Sequence, residues 1–306
     1  MAKYLIIINP AAKSGKAAAL LPLIQFHFAN VSHQIELSEA TGHPTQLVKD
    51  HIADDTRYVI SVGGDGTTGE VVNALMSLAE ENRPALGLIC AGSGNDAVRG
   101  FGIPTDTDVA IQTVLAGHTK SFDVGKVNDR YFASSFSIGL DANVVEQTLI
   151  YKAQKAWSGL RLYYAALLKV IVSKLKPIEL TIKPSSCDGT AESIDARVLL
   201  CATTNGQTYG GGIPINPGAC TASGALSFSW IDSLTVPKTL ARLPLIVTGK
   251  HSNLKAYHRR EITEASISST TGERLVAQAD GELFWDTHFE VSTLPAQLQV
   301  LVPEKP

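Results

Sequence analysis

One glycine-rich turn, residues 61–67, constrains the fold of this chain more than any other feature. A run of β-branched residues at 58–62 leads into three glycines, and a helical pattern follows from Thr67 or Thr68. Glycine lets the backbone approach a bulky ligand closely and adopt a positive φ without steric cost. The pattern therefore predicts a strand, a tight turn and a helix that is capped by Thr67 or Thr68 and whose first N–H groups favour an anion.

Asp65 places a carboxylate inside this turn. A carboxylate beside phosphate groups is repelled by them unless a divalent cation lies between, so the turn predicts a nucleoside triphosphate bound with Mg²⁺. A glycine turn that only connects a strand to a helix explains the same residues, and the motif alone does not decide between the two interpretations.

Strand and helix patterns alternate over about the first 125 residues, which is the order that predicts a mostly parallel, doubly wound α/β sheet. The predicted strands are residues 5–9, 34–37, 58–62 and 85–90, and the predicted helices are residues 17–30, 45–53, 68–79, 94–100 and 106–115. Ligands of such sheets bind beyond the carboxyl ends of the strands. Polar turns follow three of those ends, at 9–10, 63–67 and 91–96, and together they favour a nucleotide site at this edge.

The remainder of the chain is rich in strand patterns and predicts a second, β-sandwich-like domain. The strands expected there are residues 122–127, 131–138, 178–183, 194–203, 225–231, 265–269, 275–278, 283–284, 288–291 and 297–302. A long helical pattern at 143–174, broken near 158–159, and a helix at 237–248 interrupt them. We place the domains at residues 1–122 and 123–306, and leave open a return of the extreme C-terminus to the junction.

Composition argues against several functions. A formal net charge of −3 argues against broad nucleic-acid binding, which needs a basic surface. No apolar stretch reaches the roughly 18 residues that cross a bilayer, and the first residues lack a secretion-signal pattern. The four cysteines are far apart and form no Cys-x-x-Cys pair, as is typical of a reducing compartment. We expect a cytoplasmic protein, with peripheral contact to the inner face of the membrane left open.

The second glycine-rich turn, residues 91–96, ends in another acid, Asp96. Ser93 and the backbone N–H groups of this turn suit a phosphate, and Asp96 either orients a metal-bound water or caps the short helix. Because Asp65 and Asp96 follow adjacent strands, the pair suits a hydrated Mg²⁺, which takes few carboxylate ligands.

Two further polar positions follow strands in this half. Asn9 is placed to touch a nucleotide, although a P-loop is excluded there because Ala17 replaces the required Ser or Thr. Thr41, beside Gly42, suits a phosphate or the edge of a nucleobase, but taken alone a helix N-cap turn is the favoured explanation of it.

Acidic residues of the second half are candidates for the chemistry. Asp123 is flanked by apolar residues and is costly to bury without a partner, which fits either a functional or a satisfied structural aspartate. A kinase that acts on an alcohol needs a carboxylate to accept the hydroxyl proton, and Asp280 is the candidate, with Glu282 orienting it. Taken alone, Asp280 and Gly281 are far better explained as a common hairpin turn. Asp141 is predicted as a helix N-cap.

Taken together, these segments resemble the bacterial diacylglycerol kinase catalytic-domain proteins, which are related to sphingosine and ceramide kinases. The matching segments occur in the family's order and span nearly the whole chain. They are residues 9–10 with 14–16, 41–43, 63–67 with Glu70, 92–96, 122–125, 137–141, 210–212 and 280–282.

The resemblance implies an N-terminal domain like that of NAD kinases and phosphofructokinases, a C-terminal β-sandwich, ATP in the cleft and a lipid substrate at the membrane surface. It implies a water-linked Mg²⁺ network of Asp65, Asp96 and Asp123, and Asp280 as the general base on a lipid hydroxyl. The catalytic candidates are then Asp280, Glu282 and Asp65. The candidates for binding ATP are Asn9, Thr41, Gly64, Asp65, Gly66, Thr67, Thr68, Gly69, Glu70, Ser93 and Asn95.

One departure from the family concerns a second, structural divalent ion. The family usually has Asp-Gly where this chain has Ser223 and Gly224, so we expect that ion to be absent or weakly held. The basic and aromatic residues at 150–176 suit either a helix on an anionic bilayer or a helix packed on the sandwich. The basic cluster at 257–260 is predicted as a solvated turn.

Two other functions stay open: a kinase of a soluble alcohol in the manner of NAD kinase, and a nucleotide-binding regulatory protein without turnover. No nucleic-acid partner is expected, and a homodimer is left open. The lipid itself is not encoded in any motif.

Overall fold

The computed structural model describes residues 4–12, 15–154, 160–186, 189–190 and 192–304. The chain forms two compact units: unit 1 is Met1–Phe122 with Ala296–Pro306, and unit 2 is Asp123–Pro295. Residues 296–306, which the sequence placed at the end of the second domain, thus belong to unit 1. The predicted helix break near 158–159, and Ser14 of the 14–16 match, lie outside the described residues.

The helices and strands are numbered in chain order. They are β1 (Tyr4–Ile8), α1 (Leu21–Phe28), β2 (His33–Leu37), α2 (His43–His51), β3 (Tyr58–Gly63), α3 (Asp65–Met76), β4 (Ala85–Cys90), α4 (Asp96–Gly100), α5 (Thr107–Ala116), β5 (Thr119–Val127), β6 (Arg130–Phe132), β7 (Ser135–Gly139), α6 (Leu140–Ala153), α7 (Leu160–Ser173), β8 (Ile178–Ser186), β9 (Gly189–Thr190), β10 (Ile194–Thr204), β11 (Leu226–Asp232), α8 (Val236–Val247), β12 (Tyr257–Ile262), β13 (Glu264–Ser269), β14 (Leu275–Ala279), β15 (Glu282–Asp286) and β16 (His288–Leu301).

Unit 1 is built on a parallel sheet in the order β16-β4-β3-β1-β2, to which β16 contributes its last residues. Every residue of β1 is buried, as expected for a strand covered on both faces. Ile6 and Ile8 share a buried core with Ile24 and Phe28 of α1 and with Ile111 and Val114 of α5. The carboxyl ends of β1 to β4 therefore meet at one edge of the sheet, where the polar turns begin.

Unit 2 is antiparallel. Its strand order is β15-β14-β7-β10-β8-β13-β16, and β10 also pairs with β11, which pairs with β12. A core that includes Phe132, Phe136, Phe228 and Phe289 fills this sandwich-like arrangement. The predicted fold class, an α/β domain with a mostly parallel sheet joined to a β-sandwich-like domain, is confirmed.

Several local predictions were wrong at element boundaries. Helix α3 begins at Asp65 with Gly64 as its N-cap and without a side-chain cap, so Thr67 and Thr68 lie within its first turns. Asp141 likewise lies inside α6, whose N-cap is Gly139 with φ +99°. A left-handed φ of that kind favours glycine.

Strand boundaries in unit 2 also differ from the sequence pattern. The single strand predicted at 131–138 is two strands, β6 and β7, and the two predicted at 288–291 and 297–302 are one, β16. The basic cluster at 257–260 is not a turn but part of β12, which pairs with β11. Among the described residues, no helix is both long enough and apolar enough to cross a membrane.

Candidate active site

The polar turns of unit 1 contact one another at the carboxyl edge of the parallel sheet. Asn9, which follows β1, donates from Nδ2 to Oγ1 of Thr67 at 3.0 Å. The backbone N–H of Gly42 donates to Oε2 of the buried Glu70 at 2.8 Å. The structure therefore brings the segments that follow β1 and β2 against the first turns of α3.

Close backbone contact between the two glycine-rich turns explains their composition. A Cβ atom at Gly92 would lie 2.4 Å from the Cα of Gly64, and a Cβ at Gly64 would lie 3.2 Å from the Cα of Gly92. A side chain cannot be accommodated at 2.4 Å, so Gly92 is needed for the two turns to touch, and a side chain at Gly64 would fit only if its neighbour shifted slightly. The turn after β3 and the turn after β4 form one continuous surface as a result.

Asp65 and Asp96 occupy equivalent positions, each as the first residue of a helix. Oδ1 of Asp65 accepts the backbone N–H groups of Asp96 at 2.7 Å and of Ala97 at 3.2 Å. The second oxygen, Oδ2, and Oδ2 of Asp96 lie 2.4 and 3.6 Å from the point where a Cβ of Gly94 would be. Both carboxylates thus face the same glycine backbone.

The electrostatics of this pair favour a cation. Burial and, secondly, the negative charge of Asp96 together raise the pKa of Asp65 from 3.8 to about 6, although backbone N–H groups of residues 95–97 act to lower it. Arg99, whose Nη1 lies 3.3 Å from Oδ1 of Asp96, partly balances the second carboxylate. A divalent cation would relieve the repulsion at Asp65, so the residues present fit a Mg²⁺ ion.

Asp65 and Asp96 are the two carboxylates that this edge offers to a Mg²⁺ ion. Within the described ranges, no group of three or more His, Cys, Asp or Glu side chains is arranged to hold a metal. Two carboxylates suit Mg²⁺, which keeps several of its waters, better than an ion that needs a full cage of protein ligands.

The other ATP candidates differ in their exposure. Thr41 and Ser93 are exposed, Gly64 and Gly66 are half-buried, and Gly69 is buried. Thr68 is buried, and its hydroxyl oxygen lies 3.3 Å from Oγ of Ser61.

Asn95 precedes α4 in a left-handed conformation, with φ +58°. Its Nδ2 atom donates to the carbonyl of Gly92 at 3.4 Å, and its Oδ1 atom is buried without a hydrogen-bond partner among the described residues.

The side chain of Asp280 is held in place by backbone hydrogen bonds of unit 2. It lies in the turn between β14 and β15 with φ +46°, and its buried carboxylate accepts three backbone N–H groups. These come from Ala133 to Oδ2 at 2.7 Å and from Ser134 and Ser135 to Oδ1 at 2.9 Å. The backbone N–H of Asp280 donates in turn to the carbonyl of Ser135 at 2.9 Å. The hairpin turn and residues 133–135 therefore hold each other in place.

Glu282 begins β15 next to this turn. One of its carboxylate oxygens lies 3.7 Å from Nη1 of Arg130. Burial raises the pKa of Glu282, and the nearby Arg130 guanidinium lowers it.

Asp123 is buried in β5 and is bound by the loop at residues 220–225. Its Oδ2 atom accepts the N–H of Gly224 at 2.7 Å, and its own N–H donates to the carbonyl of Thr221 at 2.9 Å. The structure thus gives Asp123 polar partners for its burial, within unit 2.

Asn205, which the sequence interpretation missed, connects Asp123 to the segment that Asp280 holds. Its Nδ2 atom donates to the carbonyls of Asp123 at 2.6 Å and of Ala133 at 3.1 Å, and its backbone N–H donates to Ser134. These partners lie 82 and 72 positions away in the chain, so no local pattern marks the residue.

A second polar network in unit 2 surrounds Asp141. Its Oδ2 accepts Ser137 Oγ at 2.6 Å and Gln278 Nε2 at 3.1 Å, and its Oδ1 accepts Tyr163 OH at 3.1 Å. The other end of Gln278 accepts the N–H of Gly281 at 2.8 Å. Asp141 is therefore part of the support of the Asp280 turn rather than a helix cap.

The comparisons with known proteins cover nearly the whole chain. The family model of the diacylglycerol kinase catalytic domain matches residues 3–127, and that of the YegS C-terminal NAD kinase beta sandwich-like domain matches residues 134–302. A diacylglycerol kinase of Mycobacterium tuberculosis is 30% identical over 98% of this chain and 95% of its own length.

The chain belongs to the diacylglycerol kinase catalytic-domain family.

Other relatives agree with this assignment. A protein of Yersinia enterocolitica described as a probable YegS-like lipid kinase is 27% identical over 89% of this chain and 88% of its own. A crystal structure of a diacylglycerol kinase from Bacillus anthracis has a TM-score of 0.72 at 22% identity, covers 99% of this chain and 97% of its own, and shows the same fold. Membership makes this chain a lipid kinase in general terms, and it implies ATP as the phosphoryl donor.

Proposed function

We propose that this protein is an ATP- and Mg²⁺-dependent kinase that transfers the γ-phosphoryl group to a hydroxyl of diacylglycerol or a related lipid. The observation that carries the proposal is the pair of carboxylates, Asp65 and Asp96, which come from two touching glycine-rich turns and both face the backbone of Gly94. In a chain of this family, that arrangement suits a triphosphate whose charge is shared with a divalent cation.

The binding role belongs to the edge of unit 1. Backbone N–H groups of the turns at 63–67 and 91–96, and the first turn of α3, offer donors to phosphate oxygens. Asn9 fixes Thr67, and Gly42 fixes Glu70, so these side chains hold the turn in shape for the nucleotide. Mg²⁺, when bound by Asp65 and Asp96, supplies neutralisation of the phosphate charge. In this proposal Asp123, in unit 2, belongs to the same water-linked network.

Asp280 is the proposed general base for the lipid hydroxyl. Phosphoryl transfer depends mainly on positioning and on charge stabilisation, so a base needs to be fixed more than it needs to be strong. Three backbone N–H groups hold the Asp280 carboxylate, which meets that need. Glu282, one position beyond Gly281, is proposed to orient the base.

A lipid substrate also requires access to a membrane, and helix α7 offers a surface for it. One face of α7, with Leu162, Leu167 and Ile171, packs in the core of unit 2. Another face exposes Tyr164, Leu168 and Val172, spaced four residues apart, with 40%, 47% and 64% of each residue exposed. Such an exposed apolar stripe is not needed for packing.

Basic residues flank this stripe and point to its partner. The exposed members are Arg161, Lys169, Lys174 and Lys176, of which Lys174 lies 3.4 Å from Glu146. Apolar side chains between lysines and an arginine complement an anionic bilayer, because the apolar groups enter the acyl boundary while the cations meet the head groups. We propose an anionic lipid surface as the partner of α7.

The reaction is tested by transfer of labelled γ-phosphate from Mg–ATP to acceptors in mixed micelles. The acceptors are diacylglycerol, phosphatidylglycerol, sphingosine, ceramide and, as a soluble alcohol, NAD. Labelling of a lipid by the natural chain, with loss of at least about a hundredfold in Asp65→Asn, supports the proposal. Labelling of NAD alone would replace it with a soluble-alcohol kinase, and no labelling of any acceptor would favour a regulatory nucleotide-binding protein.

A further inference from the structure

The loop at residues 220–225 is the place where the resemblance implies a structural divalent ion, held by a carboxylate at the position of Ser223. The structure shows a different closure of this loop. Oγ of Ser223 lies 3.1 Å from the carbonyl oxygen of Cys220 and 3.0 Å from that of Ala225. The N–H of Ala225 lies 3.4 Å from the same hydroxyl oxygen.

These residues do not fit a divalent cation. Two carbonyl oxygens that converge on one point repel each other unless a proton or a cation lies between them. Here the Ser223 hydroxyl, which has one proton to donate, lies within hydrogen-bond distance of both carbonyls, and a neutral hydroxyl brings no negative charge to hold an ion.

We infer that the Ser223 hydroxyl closes this loop in place of a cation, and that unit 2 folds without a structural divalent ion. The loop has a second anchor that does not need an ion either. The N–H of Gly224 donates to Oδ2 of Asp123 at 2.7 Å, and the carbonyl of Thr221 accepts the N–H of Asp123. The closed loop therefore also sets the position of the Asp123 carboxylate.

The position of the Asp123 carboxylate links the loop to catalysis, and this link rests on the proposed function. If Asp123 belongs to the catalytic Mg²⁺ network, its placement in this chain depends on a hydroxyl and not on a second ion. The closure itself is independent of phosphoryl transfer and is measurable without nucleotide.

The test restores the carboxylate. Ser223 is exposed, so Ser223→Asp has room for the larger side chain beside the two carbonyls. A carboxylate with two carbonyl oxygens is the ligand type that Mg²⁺ and Ca²⁺ prefer. Thermal unfolding of the full chain is measured without nucleotide, in chelator and in millimolar MgCl₂ or CaCl₂.

We expect Ser223→Asp to gain about 2–5 °C in Tm on addition of either cation, while the natural chain and the uncharged control Ser223→Asn change by less than about 1 °C. Ser223→Ala should unfold at a lower temperature than the natural chain, and no cation should restore it. All four proteins are made in an Asp65→Asn, Asp96→Asn background, so that the carboxylates of unit 1 do not contribute to the cation effect.

Two results would overturn the inference. One is a cation-dependent rise in the natural loop as large as that in Ser223→Asp, which would show a bound ion where the hydroxyl stands. The other is an unchanged Tm in Ser223→Ala, which would show that the hydroxyl does not close the loop. Neither result bears on kinase activity, so failure here and failure of the proposed function are distinguished.

Discussion

Asp65 accepts the backbone N–H of Asp96 at 2.7 Å, although the two acids belong to different glycine-rich turns. This bond fixes the distance between the turns and keeps two carboxylates close to one another. The chain therefore maintains a repulsion that a bound cation would remove, and that repulsion has measurable consequences for stability and binding.

Asp65→Asn should stabilise the protein at neutral pH. The pKa of Asp65 is raised from 3.8 to about 6 by burial and by Asp96, so the folded state holds a proton that the unfolded state has already lost between these values. Stability from this group is present below about pH 4 and is lost as pH rises to about 6. Above that pH the ionised Asp65 lowers the free energy of unfolding by on the order of 1–3 kcal/mol.

Asparagine keeps the acceptor oxygen for residues 96 and 97 and removes the charge. We expect a Tm about 2–6 °C above that of the natural chain at pH 7.5, with a difference that shrinks towards pH 4.5, measured by thermal unfolding without Mg²⁺. An equal or lower Tm at pH 7.5 would show that Asp65 carries no such cost.

Binding of Mg–ATP should depend on pH through the same group. An ionised Asp65 is needed for the cation, so we expect affinity to be constant above about pH 6.5 and to fall by up to tenfold per pH unit below about pH 6. Calorimetric titration with Mg–ATP between pH 5 and pH 8 measures this. In Asp65→Asn the affinity should be low and flat with pH, whereas a steep decline in that variant would assign the dependence to another group.

Asp280→Asn should remove most turnover, by at least about a hundredfold, while ATP binding stays within about threefold. The amide also replaces one acceptor oxygen of the three backbone N–H bonds, so we expect a loss of about 1–3 kcal/mol of stability. Glu282→Gln, next to the same turn, is the matched control and should keep more turnover. Wild-type rates in folded Asp280→Asn would rule out the base assignment.

Asn205→Asp should impair turnover without affecting ATP binding. The substitution removes the amide donor to the carbonyls of Asp123 and Ala133, and places a carboxylate oxygen against both. Asn216→Asp is the control, because Asn216 is an equally buried amide of unit 2 that donates to Thr204 Oγ1 and to the carbonyl of Ser227. Both variants should lose about 1–3 kcal/mol of stability.

Asn205→Asp and Asn216→Asp should differ in kcat. We expect kcat to fall about tenfold or more in Asn205→Asp, with an unchanged KM for ATP, and to fall much less in Asn216→Asp. Equal losses of kcat in both would mean that Asn205 acts only through stability.

Leu168→Gln with Val172→Gln should weaken binding to vesicles that contain phosphatidylglycerol. Removing two apolar side chains from the stripe of α7 costs bilayer contact, and we expect about a tenfold loss in sedimentation assays with unchanged Mg–ATP binding. Val109→Gln is the control, since Val109 of α5 is similarly exposed, at 50%, but belongs to unit 1. Equal vesicle binding by the double variant and the natural chain would contradict the proposed surface.

The sequence predicted the parallel sheet and its polar edge well, because both have local signatures. The continuous apolar run of β1 marks a strand covered on both faces, and glycines beside an acid mark the turn at Asp65. The predicted start of α3 was wrong because threonine is a common N-cap residue, which favoured a helix that begins at Thr67 or Thr68. In the structure Gly64 and Asp65 begin the helix, and Asp65 instead contacts the turn after β4.

Long-range contacts explain the rest of the errors. Residues 257–260 were predicted as a solvated turn because they form a basic cluster, yet pairing with β11 makes them part of strand β12. Arg259 there also donates to the carbonyl of Pro217 and to Oγ of Ser227. Asn205 and Gln278 act through partners more than 70 positions away, and no single-sequence pattern records such contacts.

In the parallel sheet of unit 1, the strand that pairs with the outer edge of β4 comes from residues 296–301, far along the chain. Synthesis must therefore reach about residue 301 before this sheet is complete, and until then the edge of β4 presents unpaired N–H and C=O groups that favour aggregation. A recombinant fragment that stops at residue 122 would keep that edge, so an isolated nucleotide-binding half needs the tail grafted on or supplied as a separate peptide.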